Sequence, residues 1–150
     1  MIEENDPEGF GERPLAGFTH SLDDHLAFYR FVLGVYNYRC AISGLQFLPE
    51  AQILHQRLDV VPIHPRELEG TLDLGNALVL ESGLAAAFAK GLIAATDDWH
   101  VLVPRPEALT EEQRALVVPG RVLFVPEQPM FRPLAKNLQF HRLMIARYHQ

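Results

Sequence analysis

The fold of this chain is decided by residues 58–91, which read LDVVPIHPRELEGTLDLGNALVLESGLAAAFAKG. Residues 57–64 contain three β-branched side chains and are closed by a proline, a pattern that predicts a strand. After a polar loop, the apolar run at residues 78–80 predicts a second strand. The Ala-rich segment 83–90 ends at Gly91, which is typical of a short helix with a glycine stop. We therefore predict a strand, a loop, a strand and a helix in that order.

On the N-terminal side, apolar residues recur at helical spacing over residues 21–37. Ser21 is placed to cap this helix, and two aspartates follow it in the first turn. Residues 38–42 then predict a short strand that enters a Ser-Gly turn and returns at residues 46–48. Residues 1–20 are acidic, rich in Gly and Pro, and without periodicity, so we predict a flexible arm.

On the C-terminal side, residues 99–103 alternate as a strand, and Thr110 begins a capped helix. Residues 121–125 predict another strand, and a final helix is expected over residues 133–148. Short strands interleaved with helices predict an α+β fold, with a ββα core flanked by helices and further short antiparallel strands.

The composition fits one folded domain, which we place at residues 21–150. The chain has 150 residues, 48% of them hydrophobic, which excludes a disordered chain. One Cys excludes an intrachain disulfide and a cysteine-built zinc site. No apolar run approaches the roughly 20 residues that span a bilayer, so we expect no membrane contact. The acidic start does not read as a secretory signal, and we expect a cytoplasmic protein.

The charge is unevenly distributed along the chain. There are 13 basic and 19 acidic residues, a net charge of −6, which argues against a large nucleic-acid footprint. Residues 121–150, however, hold five basic residues against the single acid Glu127. These five are candidate nucleic-acid contacts: Arg121, Arg132, Lys136, Arg142 and Arg147. The alternative is that they are solvated faces of a helix and a loop.

Residues 31–44, FVLGVYNYRCAISG, resemble the lead-in of bacterial HNH endonuclease-like domains of the restriction-associated type. In that family an amphipathic helix runs into a Tyr-Arg-Cys-Ala-x-Ser/Thr-Gly hairpin. Four later segments are similar to the family in the same order: NALVL at 76–80, FAKGLI at 88–93, DDWHVLV at 97–103 and LQFHR at 138–142. The resemblance covers residues 24–148.

The resemblance implies a ββα-metal, or His-Me finger, site. Such a site has a first-strand histidine as general base, an asparagine that positions it, and a helix histidine that binds a divalent metal. Placed position by position, the base histidine falls on Pro62, the metal histidine on Ala85, and only the asparagine remains, as Asn76. Neither proline nor alanine can exchange a proton or bind a metal. We therefore expect a degenerate site and no cofactor.

The alternative is a site rebuilt from neighbouring residues. His64 lies two residues beyond Pro62, on the same side of a regular strand and about 6.6 Å away. Asp59 and Glu81 are then the candidate oxygen ligands, and Mg²⁺ or Mn²⁺ would be the cofactor only in this case. His141 is expected to be a packing residue rather than a ligand, and Cys40 to be buried and inert.

Three hypotheses for function follow. The first is an HNH-like protein that no longer cleaves and acts by binding DNA or a protein partner. The second is a working metal-dependent DNA endonuclease, a phosphodiester hydrolase, with a relocated site that uses His64 and nearby carboxylates and keeps Asn76. The third is a purely structural or self-associating module.

Overall fold

The computed structural model describes residues 22–148, and the predicted arm and Ser21 lie outside this range. The chain divides into two units, residues 1–30 and 31–150. Helix α1, Leu22–Val35, begins in the first unit and ends in the second. The described chain mixes short helices with small antiparallel sheets, which confirms the α+β prediction. Within residues 22–148, the helices are too short or too polar to cross a membrane.

The centre of the second unit is the predicted strand–loop–strand–helix. Strand β1, Leu58–Pro62, pairs antiparallel with β2, Ala77–Glu81. The two strands end at Pro62 and Ala77, and one further hydrogen bond, from the Ile63 amide to the Asn76 carbonyl at 2.9 Å, continues the pairing into the loop. Helix α2, Ser82–Ala89, follows β2 without a loop, and the Glu81 carboxylate accepts a hydrogen bond from the Leu84 amide at 3.1 Å. The ββα order is therefore observed as predicted.

Helix α2 stops at Gly91, as the sequence predicts. This residue has a φ of +78°, in the left-handed region that favours glycine. A Cβ added to Gly91 would lie 2.5 Å from the carbonyl oxygen of Ile145, because the backbone of the C-terminal segment passes directly over this position. The stop therefore also lets two segments pack closely.

The two outer hairpins are shorter than predicted. Residues 38–42 and 46–48 share only the isolated bridge Arg39↔Gln46, which consists of the hydrogen bonds from the Cys40 amide to the Leu45 carbonyl and from the Phe47 amide to the Tyr38 carbonyl. The predicted strand 121–125 likewise forms only the bridge His100↔Val122. Strand β3, Ala94–Ala95, pairs antiparallel with β4, Val101–Leu102. The sequence did not predict β3.

The C-terminal helices are partly as predicted. Helix α3, Glu111–Leu116, has a capping box in which Thr110 and Gln113 exchange side-chain and backbone hydrogen bonds. The predicted long helix is instead α4, Ala135–Phe140, followed by a π-helical turn, His141–Ile145. The turn is wider because the Ala146 amide bonds to the His141 carbonyl five residues back.

The core of the second unit is built on both sides of the ββα element. Strand β2 is buried along its length up to Leu80, so both of its faces are covered. Helices α1, α2 and α4 each contribute fully buried side chains, which include Val32, Leu84, Phe88 and Leu138. This packing fixes the loop between β1 and β2, where the predicted site residues lie.

Candidate functional site

The two positions at which the resemblance expects histidines lie within the ββα element. Pro62 is exposed at the end of β1 and faces Ala77 across the ladder. Ala85 lies on α2 and is 6% exposed. Neither side chain carries a proton to transfer or a lone pair for a cation. Pro62 and Ala85 therefore cannot act as a base or a metal ligand.

Asn76 holds the loop that connects the two strands. Its side chain is 1% exposed and its Oδ1 accepts the His64 amide hydrogen at 2.7 Å. Its Nδ2 donates to the carbonyl oxygens of His64 at 3.0 Å and Thr71 at 2.9 Å. The amide group thus satisfies both backbone groups of His64, and the structure brings the two predicted site residues together.

The His64 ring is also fixed. Its Nε2 lies 2.6 Å from the Leu68 carbonyl oxygen, which can only accept, so Nε2 carries the hydrogen. The ring stacks on Phe140 of α4, with centroids 3.6 Å apart and planes 2° from parallel. In the neutral ring the lone pair is then on Nδ1, which has no hydrogen-bond partner among residues 22–148. His64 is therefore an oriented imidazole with one nitrogen available.

The candidate carboxylates lie at the opposite end of the hairpin. Asp59 pairs with Leu80 across the ladder, and Glu81 is the residue that caps α2. Partial burial, and then the negative charge of Glu81, raise the pKa of Asp59. Asp59 is the second residue of β1, whereas His64 lies in the bend that follows the end of β1 at Pro62. The structure thus brings the carboxylates together but not with His64.

A divalent metal does not fit these residues. Over the described part of the chain, no three His, Cys, Asp or Glu side chains are arranged to hold a metal ion. Glu81 is already engaged by an amide of α2, and Pro62 and Ala85 supply no donor atom. We therefore derive no catalytic step through a metal.

Two of the five predicted nucleic-acid contacts, Arg142 and Arg132, form several bonds within the fold. Arg142 donates to the Ala95 carbonyl at 2.8 Å and forms an ion pair with Asp97 at 2.9 Å. Arg132 donates to two carbonyls of residues 126 and 127, and its guanidinium lies 5.5 Å from the Trp99 ring centroid. These arginines position loops, which the sequence alone did not indicate.

The other three basic residues differ in whether their side chains bond to the fold. Arg121 donates one hydrogen bond, to the Ser43 carbonyl at 3.2 Å, and is half-buried. Lys136 and Arg147 are exposed, and neither side chain forms a hydrogen bond or ion pair with a residue of the described range. The basic tail is thus partly structural and partly available to a ligand.

His141 and Cys40 are packing residues, as predicted. The His141 ring is 2% exposed, stacks on Phe88 at 3.8 Å, and its Nε2 donates to the Phe88 carbonyl at 2.7 Å. Burial lowers the pKa of His141 to about 4, although the hydrogen bond to Phe88 acts in the opposite direction. Cys40 is fully buried, and its sulfur accepts the Ser43 amide hydrogen.

Comparison with known proteins shows a likeness of fold. No family model and no curated protein matches the sequence. Among solved structures, the chain is similar to the modification dependent TagI restriction endonuclease, with a TM-score of 0.55 and 21% sequence identity. The match covers 79% of this chain but 37% of that one, so this chain spans little more than a third of the length of its neighbour. The fold is therefore like that of one part of a restriction endonuclease.

Proposed function

We propose that this chain is an HNH-like domain of the His-Me finger type that no longer cleaves and that acts by binding DNA. The observation that supports the proposal is an intact ββα element in which Pro62 and Ala85 occupy the positions where the resemblance expects the base and metal histidines. The Asn76 side chain still holds the loop between β1 and β2 through its hydrogen bonds to the His64 backbone. The scaffold is retained while the reactive groups are replaced, which supports selection for binding rather than hydrolysis.

DNA is the ligand that the fold favours, because the structural neighbour is a restriction endonuclease. The free cations Lys136 and Arg147 fit phosphate contacts, whereas Arg132 and Arg142 are used within the fold. Phosphate contacts make affinity fall steeply with salt, by a slope of about 0.9 per neutralised phosphate on a double logarithmic plot. A protein partner would show no such slope.

The test combines retention and cleavage on the purified full chain. Supercoiled plasmid and short duplexes are incubated with Mg²⁺, with Mn²⁺ or with EDTA, and retention is measured between low and moderate salt. Salt-sensitive retention without nicking is the expected result. Absence of retention at low salt would refute DNA binding and favour a protein partner, and metal-dependent nicking would refute the loss of cleavage.

A second candidate is a working endonuclease, which the geometry of His64 favours. The ring is oriented by the Leu68 carbonyl and by Phe140, and Nδ1 is left as a proton acceptor for a water molecule. Asn76 would be its positioning residue. This candidate predicts that nicking occurs in the wild type and that His64→Ala abolishes it. His100→Ala, which removes a half-buried surface histidine elsewhere, should leave nicking unchanged.

A further inference from the structure

Two arginines surround the ring of Phe124 on the outer surface of the 39–46 hairpin. The guanidinium carbon of Arg39 lies 5.4 Å from the ring centroid, and that of Arg121 lies 6.0 Å from it. All three side chains are half-buried. We call them the Arg39–Phe124–Arg121 patch.

The backbone holds the patch in place from both sides. Arg39 belongs to the bridge with Gln46, and the Phe124 amide donates to the Ala41 carbonyl at 2.8 Å. Gly44, with a φ of +80°, lies so close to the ring that an added Cβ would be 2.6 Å from it. Each guanidinium also donates one hydrogen bond, from Arg39 to the Gln46 side chain at 3.5 Å and from Arg121 to the Ser43 carbonyl at 3.2 Å, and this ordering lowers the entropic cost of binding a ligand.

The patch carries positive charge that nothing in the described range neutralises. Neither arginine forms an ion pair with a residue of 22–148, although the chain has more acids than bases. The Nε of Arg39 is buried and has no hydrogen-bond acceptor among these residues. Cations on a shared ring repel one another, and a buried donor without an acceptor is costly. An anion with several acceptor oxygens that contacts the terminal guanidinium nitrogens would relieve the repulsion.

We propose that the Arg39–Phe124–Arg121 patch binds a phosphate of the DNA backbone, an inference that rests on the proposed DNA-binding function. The guanidinium forks suit bidentate contact with phosphate oxygens. The Phe124 ring is the contact that the two guanidinium groups share. The ligand is thus read through its backbone rather than its bases.

The first experiment compares two double variants of the full chain in duplex retention at several salt concentrations. Arg39→Gln/Arg121→Gln removes the patch. Lys90→Gln/Arg105→Gln removes the same two charges from exposed residues elsewhere. We expect the patch variant to lose at least about tenfold in affinity and about 1 in salt slope, and the control to stay within about twofold. Equal affinities for wild type and both variants would overturn the patch and leave DNA binding standing.

The second experiment tests the anion chemistry without DNA. Pyrophosphate is titrated at constant ionic strength while the Nε–Hε resonances of the arginines are followed by NMR. Shifts at Arg39 and Arg121, with none at Arg132, are expected. Shifts without any DNA retention would support the phosphate site and refute the proposed function. Neither shifts nor retention would overturn both.

A third variant separates ligand contact from packing. Arg39→Lys/Arg121→Lys keeps both charges and should retain more DNA affinity than the glutamine pair, because lysine still contacts phosphate as a point charge. A lysine pair that melts like the wild type but binds no better than the glutamine pair would overturn the proposal.

Discussion

Removing the Asn76 side chain tests whether this residue holds the hairpin loop. Asn76→Ala deletes one accepted and two donated hydrogen bonds, at 2.7, 3.0 and 2.9 Å, in a site that is 1% exposed. Each such bond contributes about 1 kcal/mol net, so the variant should lose about 3 kcal/mol of unfolding free energy. For a chain of this size that corresponds to a fall in Tm of about 6 to 12 °C.

Asn137→Ala is the matched control. Asn137 is 6% exposed and donates a single side-chain hydrogen bond, to the Gly75 carbonyl at 2.9 Å. The same truncation should therefore cost about 1 kcal/mol. Urea denaturation of both variants and the wild type, at constant m value, gives the two differences directly.

Hydrogen exchange provides the local readout. The His64 amide loses its acceptor in Asn76→Ala, so its protection should fall, while amides of β2 should exchange at rates set by global stability alone. The argument that Asn76 holds this loop would be refuted by two results together: Asn76→Ala loses no more unfolding free energy than Asn137→Ala, and the exchange protection of the His64 amide is unchanged.

Three further predictions concern the scaffold. Because burial lowers the pKa of His141 to about 4, the unfolded state takes up a proton at a higher pH than the folded state does. The free energy of unfolding should therefore be highest above about pH 6.5 and fall by about 3 kcal/mol toward pH 4. His141→Gln, measured by urea denaturation at each pH, should not show this fall. Gly91→Ala should destabilise by at least about 2 kcal/mol more than Gly120→Ala in thermal melts, since both have positive φ but only Gly91 faces backbone within 2.7 Å; equal losses would contradict the packing argument. Tyr36→Phe should cost about 1 kcal/mol through the buried hydroxyl that donates to a β2 carbonyl, whereas Tyr38→Phe, measured in the same denaturation series, should be close to neutral.

Much of the ββα element could be predicted because its signals are local. The β-branched run of β1, the alanines of α2 and the stop at Gly91 each depend on backbone preferences of a few neighbouring residues. The capping box at Thr110 is read from a four-residue spacing. The outer hairpins were predicted too long because propensity does not say how many residues find a partner strand.

The candidate site was only partly predictable. The sequence singled out Asn76 and His64 individually, but their hydrogen bonds depend on how the loop between β1 and β2 closes. The stacking of His64 on Phe140 joins residues far apart in the chain and left no trace in any spacing. Phe124 and Arg39 likewise meet only because the 39–46 hairpin packs against residues near 124.

Three features could be read from the sequence: the order of the main strands and helices, the presence of Pro62 and Ala85 where the resemblance expects histidines, and the concentration of basic residues near the C-terminus. Only the folded structure shows which of those cations are available to a ligand. Arg142 and Arg132 donate to backbone carbonyls of other segments, whereas Lys136 is exposed. Helix and strand preferences depend on residues that are close together in the sequence. The partner of a long polar side chain is instead a backbone group that the folded chain brings within about 3 Å of it, whatever its distance in sequence.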